Sequence, residues 1–210
     1  MFTEKKKSFL KVLAVLSVLL MLTCFLTACG EEQASTPNSG EGETTRVTDA
    51  PVEKFVPDVK IGDIEWSVDE GVSGGSNYVL MKVKNNSAYT IKAFRLDFTE
   101  KSTISKADKE AIYDDIQRSQ GFDDVWMSEY KKSREELKQP ITMYGNCTEE
   151  LAPSQKSENI KCYYMGGWTS KEVLHSDKFV PEKAKFEYVK DGKTYAVNYN
   201  FNSKKYELEN

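Results

Sequence analysis

The chain has 210 residues, with 29 basic and 33 acidic side chains, one histidine and a net charge of −4. An acidic balance argues against nucleic acid, whose phosphates are held by clustered Lys and Arg. One histidine is too few for the usual His and Cys set of a zinc centre, and it leaves no placed base for a serine hydrolase triad.

The first element in chain order is a leader. Lys5, Lys6, Lys7 and Lys11 precede an apolar run over residues 12–26, interrupted only by Ser17, Thr23 and Cys24. Small residues then lead into Cys29. A charged start, an apolar middle and a small-residue end are the three parts of a secretory signal. The run is short of the roughly 20 residues a membrane span needs.

Leu26-Thr27-Ala28-Cys29 resembles the lipobox of bacterial lipoprotein precursors of the Gram-positive type. The resemblance implies cleavage between Ala28 and Cys29 after a diacylglyceryl group is attached to the Cys29 thiol. It therefore implies a protein held on the extracellular face of the cell membrane by lipid. Two acyl chains suit stable anchoring, since one alone is marginal. Residues 1–28 carry four lysines and one glutamate, so their removal leaves 25 basic and 32 acidic side chains, a net charge near −7. No basic patch remains for anionic lipid, and membrane attachment rests on the acyl group. No other cofactor is expected.

Residues 29–56 form the lipidated cysteine and a spacer rich in Glu, Thr, Ser, Gly and Pro. Its low hydrophobicity cannot offset ordering entropy, so it reads as a disordered tether. The folded domain spans 57–210. Residues 59–61 and 64–68 alternate apolar and polar, the period of a half-buried strand, with Gly62-Asp63 as a bulge or kink between them. Residues 71–76 read as a turn, Val79, Met81 and Val83 as strand, and Asn85-Asn86-Ser87 as a turn. Tyr89 and Ile91 alternate with one parity and Phe94, Leu96 and Phe98 with the other. One extra residue near Lys92 or Ala93 is required to keep both sets on one face.

The period then changes. Ser105 with Asp108 three residues on reads as a helix start. Ala107, Ala111, Ile112 and Ile116 share a face, and Gly121 ends the run. A second helix covers about 123–138, with Trp126, Tyr130 and Leu137 on one face. The pair, about 104–139, reads as an insertion between strands. Strands return at 141–144 and 160–165 around a turn-rich stretch, 151–159. A loop over 166–170 and a short helical turn before Pro181 follow. Asp191-Gly192 is a type I′ hairpin dipeptide. It sets Tyr188 opposite Tyr195, Phe186 opposite Val197 and Ala184 opposite Tyr199, apolar against apolar.

About seven short alternating strands predict a mainly β fold, an antiparallel immunoglobulin-like β-sandwich with a two-helix insertion. The stretch from Tyr78 through Asn85-Asn86-Ser87 to Phe94-Arg95-Leu96-Asp97-Phe98, with the closing strands from Lys185 to Tyr206, resembles the FxLYD-type immunoglobulin-like domains of Gram-positive lipoproteins. Asp97-Phe98 stands where that family has Tyr-Asp, and the helical insertion is not part of its module. The likeness speaks to fold and does not carry an activity with it.

Chemistry is sparse. His175, near Lys171, Glu172 and Asp177, reads as a solvated loop residue. Asp114-Asp115 and Asp123-Asp124 offer oxygens of the kind calcium takes, but no D-x-D-x-D-G loop accompanies them and acids near a helix start are favourable in any case. No metal is assigned. Asn85-Asn86-Ser87 and Asn146-Cys147-Thr148 match glycosylation sequons by chance. Cys147 and Cys162 are either a disulfide, as an oxidising compartment permits, or two small buried thiols. Most tyrosines suit cross-strand core positions. Trp168, in a Gly-Gly-Trp loop, is the first choice for an exposed contact, and Trp126 and Tyr130 on the helical insertion are further candidates for a binding surface. The expected function is a non-enzymatic, membrane-anchored binding or accessory module whose partner is an envelope protein or, as the second choice, a glycan. The alternatives are a structural spacer without a specific ligand and an envelope enzyme built on a carboxylate pair.

Overall fold

The computed structural model describes residues 55–209. The lipobox residues Leu26, Thr27, Ala28 and Cys29, and nearly all of the tether, lie outside them. The described part is an antiparallel β-sandwich of nine strands with two helices inserted between the third and fourth.

The strand path is β1-β2-β5-β4-β3-β7-β8-β9, with the two-residue β6 (Trp168–Thr169) on β5. The hairpin of β1 (Ile64–Ser73) and β2 (Ser76–Asn85) belongs to one layer. β3 (Thr90–Glu100), β4 (Thr142–Cys147), β7 (Phe179–Lys190), β8 (Lys193–Asn200) and β9 (Lys205–Leu208) make the other. β5 (Lys156–Tyr164) serves both: Met81 pairs with its Ile160, while Gly145 pairs with its Cys162. The layers meet across fully buried Met81, Phe94, Leu96, Ala184 and Phe186. Trp66 of β1 reaches across to Phe98 and Phe201, at ring separations of 6.2 and 6.1 Å. A Cβ on Gly145 would lie 2.7 Å from the Met81 sulfur, so any larger residue there would force the buried Met81 side chain to shift.

The hairpin at Asp191-Gly192 has the expected register, from Lys190↔Lys193 through Tyr188↔Tyr195 and Phe186↔Val197 to Ala184↔Tyr199. The extra residue in β3 is present, as a register shift between Ile91 and Ala93. A second shift lies between Asp97 and Phe98.

Other boundaries move. The turn expected over 71–76 shrinks to Gly74-Gly75, both at positive φ, because Gly71 and Val72 still pair with Tyr78 and Asn77. Residues 59–61 are not strand. Ile61–Asp63 is a 3-10 turn in which the Asp63 carboxylate accepts the Lys60 N–H at 2.8 Å, so Gly62-Asp63 is helical rather than a bulge. β5 starts within the stretch expected to be turn, and absorbs the surplus by a bulge with Asn159 at φ 61°.

Helix α1 (Lys106–Gln120) has the expected start and end. The Ser105 side chain accepts the Asp108 N–H, the Asp108 carboxylate accepts the Ser105 N–H, and Gly121 takes a left-handed φ of 71°. Its buried stripe is Ile112, Tyr113 and Ile116, whereas Ala107 and Ala111 are exposed. Helix α2 (Asp124–Glu136) buries Met127 alone. Leu137, expected on the face of Trp126, lies past the helix end and is 63% exposed.

Candidate aromatic surface on the helical insertion

Phe122, Trp126 and Tyr130 follow one another at intervals of four, which stacks them along one side of α2 and the residue preceding its cap. Trp168 meets them from a distant part of the chain. Gly166 and Gly167 both take positive φ, and a Cβ on Gly166 would lie 3.0 Å from the Trp168 indole. Pairing of Trp168 with Tyr164 and of Thr169 with Tyr163 then pins the segment to β5.

The four rings form one cluster. Trp126 stacks on Tyr130 at 5.2 Å with planes 9° apart, and Trp168 sits edge-on to Tyr130 at 5.0 Å and to Trp126 at 5.7 Å. Phe122 is 4.4 Å from Trp126 and 5.1 Å from Trp168. Aromatic pairs at such spacings are worth about 0.5–1.5 kcal/mol each beyond area burial. The structure thus brings together Trp126, Tyr130 and Trp168, which are 42 positions apart at their extremes. Trp168 is half-buried in this cluster rather than standing free as expected. The exposed rim is on α2, where Val125 is 70% and Trp126 40% exposed. Phe122 was missed because it falls outside both helices, although its spacing to Trp126 marks it.

Ionic contacts join the insertion to the sandwich. Lys109 lies 2.5 Å from Glu100 Oε1, while Glu100 Oε2 accepts the Ile141 N–H at 3.0 Å. Lys178 lies 3.1 Å from Asp108, whose carboxyl is held below the usual range by the Ser105 hydroxyl and then by Lys178. His175 is not a solvated loop residue. Its side chain is 19% exposed and its Nε2 lies 2.8 Å from Asp115 of α1. A histidine between flanking charges looks solvated when only chain neighbours are counted, and its partner is 60 residues away.

The acidic pairs do not converge. Asp115 is shared by His175 and Arg118, Asp114 pairs with Lys131, Asp123 caps α2 at the Trp126 N–H, and Asp124 accepts from Gln117. Burial alone would lower the Lys131 ammonium, but Glu110 and Asp114 outweigh it and hold it above its usual range. Among the described residues no group of His, Cys, Asp and Glu is placed to hold a metal, and no helix is long and apolar enough to cross a membrane.

Cys147 and Cys162 are free, buried thiols on neighbouring strands. Cys162 lies opposite Gly145, two positions from Cys147, so the thiols sit diagonally rather than face to face. Burial pushes Cys162 up to about 12 and raises Cys147 in the same direction. Other tyrosines fill cross-strand positions: Tyr144 stacks on Tyr163 at 5.4 Å and Tyr188 on Tyr195 at 5.3 Å. Comparison of the chain with known protein families, with curated proteins and with solved structures finds no match.

Proposed function

We propose that the protein is a lipid-anchored module at the outer face of the cell membrane that binds an envelope protein without catalysing a reaction. The observation that carries this reading is the convergence of Phe122, Trp126, Tyr130 and Trp168 at a helix that exposes Val125 and part of Trp126. Trp and Tyr dominate the energetics of protein interfaces, where they act as central anchors inside a rim that excludes water. Here their rings are packed against one another, so little side-chain entropy remains to be lost on docking. The anchor rests on the lipobox likeness at Cys29, and the sequence likeness to FxLYD-type domains of Gram-positive lipoproteins supports the same setting.

The test uses intact cells carrying a photo-crosslinking residue at Val125, with Lys193 in the far hairpin as the control position. A discrete protein adduct from position 125, absent from 193 and lost on Trp126→Ala, supports the docking surface. Equal adducts from both positions favour a spacer that touches its neighbours without preference. Release of the Cys29→Ser variant into the medium tests the anchor separately.

A further inference from the structure

A cleft of about 380 Å³ opens between α1, α2 and the segment leading into β4. That is within the size range of small-ligand sites. Five of its lining residues are Lys or Arg and three are Glu, an excess of two positive charges in a chain of net −4. Two of the lysines are already matched, Lys109 by Glu100 and Lys131 by Glu110 at 2.7 Å. Lys106, Lys138 and Arg134 form no ion pair among the described residues.

Arg134 is the informative member. It is partly buried, its Nη1 donates to the Tyr130 hydroxyl at 3.2 Å and its Nη2 to the Pro140 carbonyl, while its Nε is buried without a partner. Neutral acceptors satisfy donors but do not balance charge, and a guanidinium drawn out of water without a counter-charge is destabilising. The two free lysines are also placed against local preference. Lys106 is the first residue of α1, where the helix dipole disfavours a cation. Lys138 adopts φ 50° just past the end of α2, in the left-handed region that favours glycine.

We propose that the cleft between α1 and α2 binds a phosphate group, with Lys106 and Lys138 making the contacts and the partly buried Arg134 adding its unbalanced positive charge. An anion matches the positive excess of the cleft lining. The cleft touches the aromatic cluster through the Arg134–Tyr130 hydrogen bond, but the proposal does not depend on that cluster docking a partner.

Calorimetry on the full chain in detergent, titrated with inorganic phosphate against sodium chloride of equal ionic strength, tests it. Saturable heat with phosphate and none with chloride is expected. The double substitution Lys106→Gln and Lys138→Gln should weaken phosphate at least tenfold without lowering the melting temperature of the unliganded protein, since both side chains are exposed and unpaired. A parallel titration with a glycerol phosphodiester identifies the source: binding equal to that of phosphate indicates a polymer or lipid headgroup, and binding of phosphate alone indicates a free or monoester ligand. Phosphate heats no larger than those of chloride, or an unchanged affinity in the double variant, would overturn the proposal.

Discussion

The β7–β8 hairpin and the helical insertion are built on opposite principles. In the hairpin each cross-strand pair is local, and the inner residues Ala184, Phe186, Tyr188 and Val197 are buried at once by a face that also packs on β3. In the insertion two helices bury four side chains between them, Ile112, Tyr113, Ile116 and Met127, and the rest of the attachment is rings and ion pairs. Surface ion pairs are individually worth about 0–1 kcal/mol. The sandwich is therefore held by apolar burial and the insertion by a thin apolar seam with polar ties. The two should respond differently to damage.

Phe94→Ala strikes the sandwich at its centre, where the ring is fully buried and paired against Phe186. A cavity of that size costs about 3–5 kcal/mol, a large share of the 5–15 kcal/mol that stabilises a domain. Urea unfolding followed by far-UV and near-UV circular dichroism should show one transition at a sharply lower midpoint. Loss of the helical signal alone would contradict the picture of a central sandwich core.

Ile116→Ala should cost about 2–5 kcal/mol at its own site, yet the outcome expected is different. The helices should lose order at a denaturant concentration that leaves the sandwich tyrosines in their native environment. A single shared transition would mean that the insertion and the sandwich form one cooperative unit, and the contrast between them would fail.

The same division governs how much was readable beforehand. The hairpin register was legible because Asp191-Gly192 fixes the turn and strict alternation fixes the face. The capping box at Ser105 and Asp108 and the glycine at 121 marked α1 for a similar reason, since each is an interaction within one turn. What sequence could not supply was any pairing between distant segments. His175 with Asp115, Trp168 with Tyr130, and Glu100 with Lys109 and Ile141 depend on how the insertion lies against the sheet. Periodicity also overestimated the helical face: Ala107, Ala111 and Leu137 fit a 3.6-residue repeat, but the seam is too narrow to cover them. The aromatic residues stood out in the sequence one by one, while their assembly into one cluster needed the fold.

The buried thiols give a pH-dependent version of the contrast. Cys162 is raised to about 12 from an ordinary 9.0, so its neutral form is favoured in the folded state. Its contribution to stability is fully present below about pH 9. It declines by roughly 1.4 kcal/mol for each further unit as the unfolded chain ionises and the folded one does not. Stability should therefore fall between pH 9 and 12. Serine at position 162 should flatten that slope, measured against its own neutral-pH value. Iodoacetamide at pH 8 should leave the native thiols unmodified and alkylate both in urea. Rapid native alkylation of Cys162 would place it outside the core.

The smallest effect should come from the start of α1. Ser105→Ala removes the hydroxyl that caps the Asp108 N–H at 3.0 Å, a loss of about 1 kcal/mol. It also removes the leading cause of the depressed Asp108 carboxyl, leaving Lys178 as its principal partner. A depressed carboxyl stabilises the folded state above its ordinary value of 3.8 and loses that contribution as the pH falls through its lower, folded value. In the parent protein the α1 amides should therefore stay protected from hydrogen exchange into mild acid. In Ser105→Ala they should open at a higher pH, while the amides of β3 and β7 remain unchanged. Because Asp108 also holds Lys178 at the foot of β7, an equal loss of protection in β7 would show that this tie carries the sandwich as well as the helix. The insertion would then be part of the core's support rather than an attachment to it.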